Sequence, residues 1–102
     1  MATLYITEYA RVAFDPNGPL AMPEEPPLAS QTVAIGSGSV ASNAFNVATR
    51  FVRLNTDAAC SIQFGFPTPT AVATTARMAA NQTEYHGVPQ GGGYQVAVIT
   101  NS

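Results

Sequence analysis

The stretch from Thr49 to Phe66, TRFVRLNTDAACSIQFGF, constrains the fold more than any other part of the chain. In its second half Cys60, Ile62 and Phe64 alternate with small or polar residues. A period of two indicates a β-strand with one buried face. Before that strand, residues 55–58 (NTDA) have the chemistry of a turn, because Asn and Asp side chains bond nearby backbone groups. The stretch therefore predicts two strands joined by a tight turn.

The pairing of these two strands determines what we expect in the core. If they pair with each other in an antiparallel hairpin, Val52 and Leu54 lie beside Cys60, Ile62 and Phe64 in the core. Phe51 departs from the simple alternation. We therefore expect Phe51 either beneath a second layer or exposed as a contact residue.

Short extended segments broken by Gly and Pro recur along the rest of the chain. Their spacing of roughly 8–12 residues is typical of a sandwich or barrel. Residues 71–80 are rich in alanine, but they include β-branched residues and show no helical stripe, so a loop and a strand are favoured over a short helical turn. The sequence predicts an all-β fold, a small antiparallel β-sandwich or jelly-roll-like barrel. The predicted strands outside the central stretch are residues 3–9, 31–36, 75–80, 83–88 and 94–100, with a turn at 81–82.

Proline sets apart a segment near the N-terminus. Residues 15–27, DPNGPLAMPEEPP, contain five of the eight prolines. Proline fixes φ and removes an N–H donor, so neither a helix nor a central strand fits here. We expect an extended Pro-rich N-terminal arm, which divides the chain into residues 1–30, a strand followed by the arm, and residues 31–102, the sandwich body. The first part has one arginine and four acidic residues, whereas the second has three arginines and two acidic residues.

Charge is scarce and excludes two classes of partner. Charged residues make up 10% of the chain, lysine is absent and the net charge is −2. Binding to nucleic acid needs a basic surface, and so does polybasic attachment to a membrane, so we expect neither partner. A small domain with so much neutral surface is either covered by copies of itself or a partner, or kept soluble by its Ser, Thr, Asn and Gln side chains.

Groups that could carry out chemistry are few and scattered. Cys60 is the only cysteine, and its alternation with apolar residues predicts a buried small side chain. His86 is the only histidine, whereas a metal site needs several ligands. Glu24 and Glu25 lie in the proline-rich segment, which is poor preorganisation for acid–base catalysis. We expect no enzymatic activity, no catalytic residue, no metal and no cofactor.

Several motifs in the second half of the chain resemble a family of small structural proteins of tailed phages and prophages. They are TRFVR at 49–53, CSIQFG at 60–65, ARMAANQTEYHGV at 76–88 and VAVI at 96–99. The chain departs from the family pattern at 66–69, where it has FPTP in place of the usual turn asparagine. The resemblance implies a virion structural protein on the capsid surface, made in the host cytoplasm. It implies a capsid decoration (cement) protein that binds the major capsid protein and stabilises the phage head, and a homo-oligomer with a homotrimer favoured.

Attachment to a capsid is expected to use the first 30 residues. An extended strand at residues 3–9 can add to the edge of a neighbouring sheet, where backbone groups supply affinity. The expected partner-binding residues are Leu4, Ile6, Leu20 and Met22, with Phe51 at an interface between copies. The alternative is that Leu4 to Tyr9 is a strand of the domain's own sheet.

A second function belongs to another class, a host-surface glycan-binding module of a head or tail fibre. Aromatic faces stack on sugars and gain from apolar burial. The candidate residues for such a module are Tyr85, His86 and Tyr94.

Overall fold

The computed structural model describes residues 2–91 and 93–101, so Met1, the first residue of the predicted arm segment, lies outside the described residues. Within these ranges the chain forms strands and no helix, and hence no helix long and apolar enough to cross a membrane. The predicted all-β class is confirmed. The strands are β1 (Thr3–Tyr9), β2 (Val12–Asp15), β3 (Gly18–Pro23), β4 (Ala29–Ala34), β5 (Val40–Ala41), β6 (Phe51–Thr56), β7 (Cys60–Gly65), β8 (Ala76–Met78), β9 (Thr83–Gly87) and β10 (Gln95–Thr100).

Two four-stranded antiparallel sheets form a sandwich. The first sheet has the order β4-β1-β6-β9 and the second has the order β5-β10-β7-β8. Alternating side chains of both sheets point inward and exclude water, as expected for strands with one apolar face. The core comprises Leu4, Ile6, Val33, Ile35, Phe45, Val52, Leu54, Cys60, Ile62, Met78, Val96 and Val98.

The central stretch forms its two strands, but the expected hairpin pairing is wrong. β6 pairs with β1 and β9, whereas β7 pairs with β10 and β8. The turn at 57–59 carries the chain from one sheet to the other, and Thr3 N–H donates to Asp57 Oδ1 over 2.7 Å beside it. Val52 and Leu54 do share the core with Cys60 and Ile62, but across the interior, and Phe64 is only partly buried against that core. Alternation reveals which face of a strand is buried and does not reveal which strand lies beside it.

The proline-rich segment is a β-hairpin and not an extended arm. β2 and β3 pair antiparallel, and residues 16–17 form the turn between them. Both strands of a two-stranded ribbon are edges, so a proline can turn its missing N–H away from the partner strand. This geometry is why Pro19 and Pro23 are compatible with β3. Gly18 has a φ of 127°, which a residue with a side chain rarely adopts.

The hairpin continues the β1–β4 pair beyond the sandwich. Leu28 N–H donates to the Glu8 carbonyl over 2.8 Å, and Glu24 N–H donates to the Arg11 carbonyl over 3.0 Å. β2 and β3 contact each other extensively and contact the other strands only marginally. The molecule accordingly measures 47 × 27 × 21 Å.

β1 is an integral strand of the first sheet. It pairs with β4 on one side and with β6 on the other, so both of its edges are occupied. Leu4 and Ile6 are buried in the core, which corrects their expected role as partner-binding residues. The alternative, that Leu4 to Tyr9 belongs to the domain's own sheet, is confirmed. A boundary at residue 30 would separate β1 from the strands that it pairs with, and it falls inside β4.

Candidate interaction site

A cleft of about 480 Å³ lies between the base of the hairpin and the β6–β9 side of the first sheet. We call it the hairpin cleft. It forms because the β2–β3 ribbon leaves the sheet next to β6, so that β3 faces the ends of β6 and β9. Its lining is mainly apolar, which suits contact with apolar or aromatic groups. The lining residues are Val12, Ala21, Met22, Pro23, Phe51, Tyr85, His86 and Gly87.

Phe51 is held in the cleft by Tyr9. The antiparallel register of β1 and β6 places Tyr9 opposite Phe51, and their rings stack with centroids 5.3 Å apart and planes 18° apart. The Tyr9 hydroxyl donates a hydrogen bond of 2.8 Å to Glu25 Oε2. Burial raises the pKa of Tyr9, and the bonded carboxylate of Glu25 raises it further. Phe51, predicted as either covered or a contact residue, is half-buried on this stack and lines the cleft.

Neighbouring side chains fix the orientation of the His86 ring. Its ring lies 5.1 Å from the ring of Phe64, and its Nε2 lies 2.9 Å from Glu84 Oε1. Gln82 Nε2 donates to the other oxygen of Glu84 over 2.7 Å. This arrangement orients the imidazole at the rim of the sandwich. Within residues 2–91 and 93–101 there is no group of three or more His, Cys, Asp or Glu side chains placed to hold a metal ion.

The hairpin and the cleft expose large apolar side chains. Phe14 is 60% exposed on β2, Met22 is 54% exposed on β3, and Tyr85 is 54% exposed on β9. Leu20, the remaining predicted partner-binding residue, is half-buried on β3 and does not line the cleft. Exposed apolar side chains that cluster typically mark an interaction site.

The three residues proposed for glycan binding do not form one site. Tyr85 and His86 line the hairpin cleft. Tyr94 instead packs on Phe66, with ring centroids 5.8 Å apart. A second depression, of about 590 Å³, lies on the outer face of the first sheet, where Tyr5, Arg53 and Asn55 are among its lining residues.

Sequence reasoning identified Met22, Phe51, Tyr85 and His86 from separate signals and did not predict that they share a cleft. Their proximity depends on the ribbon's path beside the sheet, which no local pattern in the sequence encodes. No protein-family model, no curated protein and no solved structure matches this chain.

Proposed function

We propose that this protein is a non-enzymatic virion structural protein, a capsid decoration (cement) protein that binds the major capsid protein and stabilises the phage head. The observation that carries the proposal is the hairpin, a self-paired ribbon that extends beyond the sandwich with Phe14 and Met22 exposed. Large apolar side chains exposed together on a projecting element are typical of an interaction site.

The geometry favours attachment through the hairpin. Its two strands are held together by their own backbone hydrogen bonds, so the ribbon is ordered before it meets a partner and loses little entropy on binding. Arg11 and Glu24 pair across its base with an Nε–Oε1 distance of 2.7 Å. Apolar side chains at the hairpin supply the contact energy, and Asp15 near its turn adds a negative charge that favours a basic patch on the capsid.

Cosedimentation with expanded heads tests this attachment. The double variant Phe14→Ser/Met22→Ser is expected to remain folded and to lose most of its binding, because both side chains are exposed and outside the core. Val47→Ser is the matched control, since Val47 is 71% exposed and does not line the hairpin cleft. Equal binding by the double variant and the control would exclude the hairpin as the attachment element.

The location in the virion needs its own test. Mass spectrometry and electron cryomicroscopy of purified virions should find many copies on the capsid surface, with three-fold clusters if the homotrimer implied by the resemblance forms. Detection in infected cytoplasm but not in purified virions would contradict the proposal as a whole.

A host-surface glycan-binding module is a second candidate, favoured by one observation. Tyr85 is exposed at the rim of a cleft large enough for a sugar ring and can offer its aromatic face. A glycan array probed with the wild-type protein and with Tyr85→Ala tests this function. Binding to no glycan, together with unchanged phage adsorption after deletion of the protein, would exclude it.

A further inference from the structure

β9 leaves one edge of the first sheet open. It pairs with β6, and among the described residues no strand pairs with its other edge. Val88 N–H donates to the Arg50 carbonyl over 2.8 Å, and Thr56 N–H donates to the Gln82 carbonyl over 3.3 Å. Alternate residues of an antiparallel strand point their backbone groups to the same side, so even-numbered residues of β9 face β6.

The outward backbone groups of β9 therefore belong to Thr83, Tyr85 and Gly87, and all three residues are exposed. Each offers one N–H donor and one carbonyl acceptor to a further strand. The edge is five residues long and contains neither proline nor lysine. Proteins usually protect sheet edges with short strands, proline, charges or a covering segment, and β9 has none of these on its outward positions.

The edges of the second sheet are shorter, and the other edge of the first sheet differs in its side chains. In the second sheet, β5 has two residues and β8 has three, including Arg77. In the first sheet, β4 lies beside β5, and the Gln31 side chain exchanges hydrogen bonds with both backbone groups of Asn43. This contact leaves Ser30, Thr32 and Ala34 of β4 exposed, but β4 has no charged side chain, whereas β9 has Glu84 and His86, which can pair with each other.

We propose that β9 pairs antiparallel with β9 of a second copy of this chain, in the register that places Tyr85 opposite Tyr85 of the other copy. Thr83 then lies opposite Gly87 of the other copy, and every outward donor meets an outward acceptor. The two first sheets join into one continuous sheet across a two-fold axis at Tyr85.

The side chains of β9 complement themselves in this register. Glu84 lies opposite His86 of the second copy, and His86 lies opposite Glu84. Within one copy these two groups already bond over 2.9 Å, so each carboxylate in the dimer is flanked by two imidazoles. The two Tyr85 side chains, exposed in the single chain, lie side by side on the same face of the joined sheet. Another register would lose either the Glu84–His86 pairs or part of the backbone bonding.

The pairing rests on the edge of β9 and is independent of the capsid role. It does not use Phe14 or the tip of the hairpin, although Tyr85 and Gly87 line the same cleft as Met22. A two-fold contact at β9 is also compatible with a three-fold contact elsewhere on the surface. Failure of the protein to bind capsids would therefore not exclude the β9 pairing, and absence of the pairing would not exclude capsid binding.

A cross-linking experiment tests the register. Opposite residues in a bonded antiparallel pair have Cα atoms about 5.5 Å apart, which suits a disulfide. The variant Tyr85→Cys is expected to form a covalent dimer on mild oxidation, since the native Cys60 is buried. Thr32→Cys is the control, because Thr32 is exposed and points outward from β4, the opposite edge of the same sheet. Equal yields from the two variants, or no dimer from Tyr85→Cys, would overturn the proposal.

Sedimentation velocity tests the same contact without a covalent bond. The wild-type chain is expected to show a concentration-dependent dimer. Tyr85→Lys places two ammonium groups beside each other on the axis and should weaken the dimer roughly tenfold or more. Thr32→Lys adds the same charge at the opposite edge and should leave the dimer unchanged. A wild-type chain that stays monomeric, or an oligomer that Tyr85→Lys does not weaken, would overturn the two-fold pairing.

Discussion

Thr49 Oγ1 donates a hydrogen bond of 2.8 Å to Glu8 Oε1 inside the sandwich, although 41 residues separate the two in sequence. The same oxygen accepts from Asn46 N–H over 2.7 Å, and Gln31 Nε2 donates to the other oxygen over 3.2 Å. Glu8 is only 2% exposed. One buried carboxylate on β1 thereby fixes the segment that leads into β6.

Replacement of Glu8 by alanine should lower the free energy of unfolding by about 2–4 kcal/mol, because buried donors are left without an acceptor. Urea denaturation monitored by circular dichroism measures the change. Glu24→Ala is the matched control, since its ion pair with Arg11 is exposed to solvent and should contribute little to stability. Equal losses in the two variants would contradict the structural role of Glu8.

Tyr9 should make the protein less stable in alkaline solution. Its folded-state pKa is raised above 10.0, chiefly by burial, so the unfolded chain loses the Tyr9 proton first as the pH rises. The contribution of Tyr9 to the free energy of unfolding is fully present below pH 10.0 and is lost between that pH and the higher folded-state pKa. Unfolding titrations should show a steeper loss of stability above pH 10.0 in the wild type than in Tyr9→Phe. If the stability of the wild type and of Tyr9→Phe fell equally with pH, Tyr9 would have the same pKa in the folded and unfolded chains.

Cys60 should resist thiol reagents while the protein is folded. It is fully buried, and burial raises the pKa of its thiol, so little reactive thiolate is present at neutral pH. Labelling with a maleimide, followed by mass spectrometry, should be slow in buffer and fast in concentrated urea. Rapid labelling under native conditions would show that the core opens at β7.

Gly18→Ala should disrupt the hairpin without unfolding the sandwich. The φ of 127° at Gly18 disfavours any side chain, even though no heavy atom lies within 4 Å of an added Cβ. Amide NMR spectra should show changes confined to residues 12–23 and weaker binding to capsids. Gly38→Ala is the control, because that site is open and has no positive φ. Loss of the core signals in Gly18→Ala would contradict an independent hairpin.

Local patterns predicted much of the strand content and little of its arrangement. Alternation placed β1, β9 and β10 to within a residue or two, because a period of two is a local property. Pairing of β6 with β1 is not local, since it depends on how two sheets close around a shared core. The hairpin was missed because proline excludes only the interior of a sheet and not a two-stranded ribbon.

The contacts of Glu8 also could not be predicted from local sequence patterns. It lies in phase with Leu4 and Ile6 on β1, but the partners that make burial of its carboxylate tolerable come from distant segments. The cleft residues were likewise recognised singly, and their common site follows from the path of the ribbon.

The crossing of the chain between sheets at 57–59 has a consequence for the rate of folding. β6 and β7 are neighbours in the sequence but do not hydrogen-bond to each other. This stretch therefore cannot form early in folding as a local hairpin. Each sheet forms only when strands that are distant in sequence pair, as Leu4 does with Thr56 and Val98 with Ile62. Closing such long loops is entropically costly, so the sandwich should refold in roughly milliseconds to seconds, while the local β2–β3 ribbon can form far sooner.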